Sequence, residues 1–314
     1  MIGALLSALF FGITPVVAGR AIELIGFVRT NVIRLSFAVV VMGVWAFAFG
    51  RGVQGQTMLF VTAGAVGFGI GGLSLLAALP RLGAPLASLI EETAAAPVTV
   101  VVAWLWYSEG LKTPQLAGCA VILAGVVVGL WPFVGVAALK NLSRKSLALG
   151  VGLALLAATA QGISFAATRY GIKTLTLAHA APDVVTVSVL RLMGGLLVGL
   201  VVYLVARWVW RKRWGFAAAD GSTRSVFGSD GGRLTSRPLL WGSLNSLFGP
   251  ILGVTCTVWA QLSLPAGKVQ SIAALAPMIS VPFAFWLQGH KPPRLWYIGA
   301  AVAIVGLVLV DLNS

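Results

Sequence analysis

Residues 84–129 read APLASLIEETAAAPVTVVVAWLWYSEGLKTPQLAGCAVILAGVVVG. Two apolar runs, 84–107 and one that continues to 133 from 115, flank a short polar turn carrying Glu109 and Lys112. As a helix rising 1.5 Å per residue, each run crosses roughly 30 Å of hydrocarbon, whereas a lone strand would leave its backbone groups unpaired in lipid. The same pattern recurs outward from this pair. Apolar runs lie at 2–18, 32–49 and 58–79 before it, and at 147–168, 185–206, 239–263, 266–288 and 295–311 after it. The expected fold is therefore an all-α polytopic membrane protein of ten transmembrane helices. The stretch 207–237, rich in Arg, Gly, Ser and Asp, is expected to be a solvated basic loop.

Composition agrees. Of 314 residues, 59% are hydrophobic and 10% charged, and the mean hydropathy is +0.97, which leaves too little polar surface for a water-soluble globule and rules out disorder. The first run imitates a signal peptide but lacks a basic n-region and a small-x-small cleavage signal, so it reads as a retained helix. The net charge of +14 resides in loops beside the spans, where headgroup attraction and topology explain it better than nucleic acid does. Cys119, Cys256, His179 and His290 have no ligand or catalytic spacing, and no phosphate loop occurs. Neither an enzyme, a metal site nor a cofactor is expected.

Internal repetition organises the ten spans. A shift of 180 places Phe68 and Gly69 on Phe248 and Gly249, Pro97 on Pro277 and Trp106 on Trp286; one residue more aligns Gly118 and Gly125 with Gly299 and Gly306. A shift of 150 places Gly12 and Thr14 on Gly162 and Ser164, and the Arg-Leu pair Arg34–Leu35 corresponds to Arg191–Leu192. Two repeats follow, 1–139 and 140–314. With five helices each they must be inverted, which is the architecture of secondary transporters whose central site is exposed alternately to each side.

The opening stretch resembles the fourth and fifth helices of an EamA-type repeat of the drug/metabolite transporter superfamily, through its mid-helix Pro97, its turn residue Glu109, and Gly118 and Gly125. The second half resembles it less closely: Pro277, Gly299 and Gly306 are present, but His290 stands where the turn would carry Glu. The resemblance covers nearly the whole chain. It implies a ten-helix transporter, for which relatives are usually drawn with cytoplasmic termini. The charges say the reverse: Arg20, Arg29, Arg81, Lys140, Arg144, Lys145, Arg207, Arg211, Lys212, Arg213, Lys291 and Arg294 fill one side, against Arg51, Lys112, Arg169 and Lys173. The positive-inside bias places both termini outside the cytoplasm of a bacterial inner membrane.

Candidate site residues come from polar groups at membrane depth, where a charge costs about 2.5–3.5 kcal/mol and must find water or a partner. Glu91 and Glu92 lie in span four and Lys268 near the start of span nine. Ser88 with Glu91, and Lys268 with Ser271, are three residues apart and so share faces expected to look into one cavity, with Gln270 beside them. The carboxylates suit a cationic group or a proton, the lysine an anion; a Glu–Lys structural pair is the plain alternative. Gln161 and Asn245 are further lining candidates. Gly69, and Gly249 with Pro250, mark spans three and eight as places where the helix can bend or break around a substrate; close packing of small residues is the competing explanation. Arg34 and Arg191 read as structural anchors, reaching headgroups or capping neighbouring carbonyls, and Gly125 and Gly129 as a seam within the chain or a homodimer contact. The function expected is a secondary active transporter that moves an amino acid, related metabolite or amphipathic drug by alternating access, as an exporter, with protons as a coupling ion. The alternative is a non-transporting receptor or assembly protein.

Overall fold

The computed structural model describes residues 1–53, 55–134, 144–209, 215–217, 223–225, 236–288 and 294–312. In chain order the helices are α1 (Ile2–Ile25), α2 (Phe27–Phe49), α3 (Thr57–Leu82), α4 (Ala84–Tyr107), α5 (Thr113–Val134), α6 (Arg144–Leu177), α7 (Val184–Val209), α8 (Ser236–Ser263), α9 (Ala266–Ala273), α10 (Ala276–Gln288) and α11 (Arg294–Leu312). The first eight are long and apolar enough to cross a membrane. Inside the stretch expected as a solvated loop, β1 (Gly215–Ala217) pairs antiparallel with β2 (Thr223–Ser225). The junction expected at 139/140 and the turn residue His290 lie outside the described residues.

Two connections are single glycines. Gly26 (φ 77°) joins α1 to α2 and Gly83 (φ 78°) joins α3 to α4; side-chain-bearing residues rarely adopt this backbone, so glycine makes the one-residue reversal possible.

Span nine, expected as one helix over 266–288, is divided at Ala274 and Leu275 into α9 and α10. Pro277 has no N–H to give the carbonyl of Ala273, and the chain tightens there, with Leu275 N–H bonding Ile272 O and Met278 N–H bonding Leu275 O. Pro97, its counterpart, sits inside an uninterrupted α4.

Where α3 and α8 were expected to bend or break, they widen. Ala65–Gly71 and Leu247–Gly253 are π-helical, each seven residues long. Gly72 N–H reaches back five residues to Gly67 O, and Val254 N–H to Gly249 O. A wide turn accommodates glycine runs and Pro250 without severing the helix.

Small residues bring the helices together. A Cβ added at Gly125 would come within 2.5 Å of Ala303 N, and one at Gly299 within 2.4 Å of Gly125 O. The α5 glycines therefore form a seam with α11 inside the chain. Against α3, α6 runs antiparallel, with Gly171 at Phe60, Ser164 at Gly67 and Gly150 at Leu82; against α1, α8 does likewise, with Cys256 at Gly3 and Gly249 at Thr14. One end of the bundle thus gathers the start of α3 and the ends of α4, α6 and α8. The other gathers Gly26, Gly83 and the start of α6. Outward faces carry Val40, Val44 and Phe47 on α2, Leu197, Val201 and Leu204 on α7, and Ile304, Val305 and Val308 on α11, an apolar belt suited to lipid.

Candidate functional site

A cavity of about 60 Å³ lies among α1, α2, α3, α4, α6, α8 and the start of α10, room for a handful of water molecules. Its charged lining is Arg34, Glu91 and Glu92; Ser88, Gln161, Thr14, Gly249 and Pro250 also line it. It sits nearer the Gly83 end, since α3 contributes Gly67, Phe68, Gly72 and Leu75 and α4 its second and third turns.

Arg34 is held by its own helix, by α8 and by the lack of bulk at Gly72. Arg34 lies two turns into α2; its Nε donates to Asn31 Oδ1 at 3.0 Å. Its guanidinium lies over Gly72, where a Cβ would come within 2.5 Å of Nη2. Ser246 on α8 donates to the Arg34 carbonyl at 2.6 Å, fixing α2 beside the π segment. Glu92 accepts a hydrogen bond from Gln270 Nε2 at 2.9 Å. Glu91 and Arg34 are within electrostatic reach of each other, yet among the described residues the ion pairs closer than 4.0 Å are elsewhere. A positive and a negative group thus face one small, mostly apolar space without closing on each other. Such a space suits a solute carrying both charges.

Of the expected site residues, Glu91, Glu92, Ser88, Gln161, Gly249 and Pro250 line this cavity. Gln270 reaches it through Glu92. Lys268 and Ser271 are buried on α9, 1% exposed each, but neither is part of the lining, and the Ser271 hydroxyl donates to Gly267 O at 2.9 Å. Asn245 is buried with neither amide atom hydrogen-bonded and stands outside the lining. Gly69 packs on Val198, and Gly67, two residues earlier, takes its place at the cavity. Arg34 and Arg191 do not reach headgroups: they are 6% and 0% exposed. Gly72 leaves room for the Arg34 guanidinium and Gly64 lets α3 approach the Arg191 backbone, a correction that residue type alone could not supply.

Arg191 occupies a drier setting. Its guanidinium lies 5.1 Å from the Phe68 ring centre and 5.8 Å from that of Phe165. Nη2 donates to Ser164 Oγ at 3.2 Å. Nε and Nη1 have no hydrogen-bond partner.

The opposite end of the bundle is stitched shut. Arg169 on α6 donates through Nε to Glu109 Oε1 at 3.1 Å, and through Nη1 to the carbonyls of Gln261 (2.5 Å) and Leu262 (3.3 Å) at the end of α8. Glu109 Oε2 accepts from Ala266 N–H, the first residue of α9, at 3.2 Å, and from Tyr107 at 3.4 Å. One ion pair therefore ties α4, α6, α8 and α9. Charge-assisted bonds of this kind are worth about 1.5–3 kcal/mol each. Trp106 and Tyr107 pack on Tyr170 beside it.

With this geometry in place, comparison with known proteins is informative. The model of the EamA-like transporter family matches residues 1–131 and 148–311. A solved structure described as "Crystal structure of protein" superposes with a TM-score of 0.72 at 14% sequence identity, covering 100% of this chain and 98% of the other; at that identity the likeness concerns the fold. No curated protein matches.

Proposed function

We propose, from the premise that this chain belongs to the EamA-like transporter family, that it is a secondary active transporter working by alternating access between two inverted repeats of five helices each. The observation that carries the reading is a cavity lined by Arg34, Glu91 and Glu92, nearer one end of a bundle whose other end is tied together by Glu109 and Arg169. A carrier must close one gate while its site opens through the other.

Matched contacts support the inverted repeat. Gly67 faces Ser164 as Gly249 faces Thr14, and Gly162 faces Ala95 and Val98 as Gly12 faces Ala276 and Ile279. On this reading α3 and α8 correspond at a shift of 182, two residues from the 180 read in the sequence. On this reading α9 and α10 together make the ninth span and α11 the tenth.

The cargo is a small zwitterion such as an amino acid or a related metabolite: Arg34 takes its carboxylate, and Glu91 or Glu92 its ammonium group or a coupling proton. Amphipathic cations would use the carboxylates alone. The basic end, with Arg20, Arg29, Arg81, Arg144 and Arg294, faces the cytoplasm of a bacterial inner membrane. The cavity lies nearer that end, which suits loading from inside and export.

Reconstitution in liposomes tests this directly. Counterflow of radiolabelled amino acids is expected in loaded vesicles, and no flux across amino acids, related metabolites and cationic drugs would reject the carrier. A reporter fused after Ser314 is expected to read as non-cytoplasmic; a cytoplasmic signal reverses the direction but not the mechanism.

A further inference from the structure

Arg34 and Arg191 head the same Arg-Leu pair in the two halves, and their surroundings correspond. Ser246 donates to the Arg34 backbone carbonyl, while Gly64, its counterpart at a shift of 182, lies against the Arg191 carbonyl, where a Cβ would come within 1.8 Å. Their side chains differ in one respect. Arg34 lines the cavity; Arg191 is sealed from it by Phe68, which lines the cavity and also stacks on Arg191.

The sealed guanidinium is short of partners. Three of its five N–H bonds belong to Nε and Nη1, which are unpartnered, and no carboxylate lies within ion-pair distance among the described residues. Two aromatic faces and one hydroxyl offset only part of the several kcal/mol that a buried charge loses with its hydration. The missing partner is an anion, and the space it would enter from is one ring away.

We propose that Arg191 is a second anion station, gated by the Phe68 ring, that receives the carboxylate of a small solute arriving from the Arg34 cavity. The assignment rests on the carrier reading, because the two stations are the symmetry-related halves of one path. In the state described, Arg34 is open and Arg191 dry. Exchange of the two environments when the bundle rocks would hand the carboxylate from one guanidinium to the other without leaving it unpaired.

The test uses the full chain purified in detergent, with sodium acetate as the minimal carboxylate and sodium chloride at equal concentration as the comparison. Acetate is expected to raise the melting temperature of the native protein above its value in chloride, and to protect Arg191 from phenylglyoxal, read by peptide mass spectrometry. Arg191→Gln is expected to melt no lower than the native chain in chloride, since it removes an unpaired charge, and to lose the Arg191 share of the acetate shift, leaving what Arg34 supplies. Arg191→Lys keeps the charge and retains part of the shift. Phe68→Ala makes phenylglyoxal labelling of Arg191 at least several-fold faster in chloride.

An Arg191→Gln chain that melts lower or cannot be purified in chloride, or equal labelling of native Arg191 in acetate and chloride, would overturn the station and leave a structural arginine. Equal stabilisation by chloride and acetate overturns the carboxylate assignment. Liposome flux separates the two claims: flux without any acetate effect at Arg191 rejects the station alone, and an Arg191-dependent acetate effect in a chain without flux supports the site while rejecting the carrier.

Discussion

The two ends of the bundle use their charges in opposite ways. At one end Arg169 and Glu109, whose side chains are 15% and 11% exposed, join residues 60 positions apart and pull four helices together. At the other, Arg20 pairs with Glu23 at 3.5 Å along a single helix, with 59% and 43% of those side chains exposed. Arg20 lies next to Gly19, the position that corresponds to Arg169 at a shift of 150, and a Cβ at Gly19 would meet no atom within 4 Å. The difference teaches that an ion pair's reach decides its structural effect: the half-buried pair joins α6 to the end of α4, whereas the exposed pair spans one turn of α1.

That contrast can be broken at several points. The largest effect is expected in the cavity itself: Arg34→Gln, Glu91→Gln and Glu92→Gln should each lower flux by about tenfold or more, because truncating one side of a desolvated charged contact costs roughly 2–5 kcal/mol. Native rates in all three would remove the cavity from the transport path. Next comes the stitched end. Glu109→Gln releases Arg169 and weakens the cap on α9, shifting the balance of open and closed forms by about 1.5–3 kcal/mol. A cysteine placed at Ala266, which is 0% exposed, should then react with a membrane-impermeant thiol reagent at least several-fold faster than in the Glu109 background. Unchanged labelling would mean the ion pair is not what holds that end. The smallest effect belongs to Arg20→Ala. An exposed pair within one helix contributes under about 0.5 kcal/mol, so flux and melting temperature should stay near native; a large loss would give this end a tie of its own.

The sequence carried the membrane architecture further than the site. Spans matching α1 to α8 followed from run length, and the carboxylates at 91 and 92 were conspicuous because charge at that depth demands an explanation. Arg34 was harder to place. An arginine two turns into a span has a stem long enough to snorkel outward, and whether it turns inward depends on Gly72, 38 positions away, leaving the space. The pairing of Glu109 with Arg169 was hidden for the same reason: each looks like an ordinary helix-end charge until α6 is laid beside α4. Pro97 and Pro277 show the limit most plainly. The same residue at matched positions leaves α4 whole and divides α9 from α10, so the outcome is decided by the packing around each helix rather than by the proline. Periodicity likewise put Lys268 and Ser271 on one polar face with Gln270 beside them, but it could not show that Gln270 donates to Glu92 across the bundle.

The wide turns of α3 and α8 have a bearing on how the chain tolerates changes in length. An α-helix that gains or loses a residue ordinarily rotates everything beyond that point by about 100°, which in a packed bundle misplaces every side chain downstream. A π-helical stretch already stores one surplus residue. Shortening Ala65–Gly71 or Leu247–Gly253 by one has a regular helix to fall back on, with both flanks left in register. The two windows are therefore the positions in α3 and α8 where a deletion is least disruptive, and a ready site for tuning cavity width by chain length instead of by substitution.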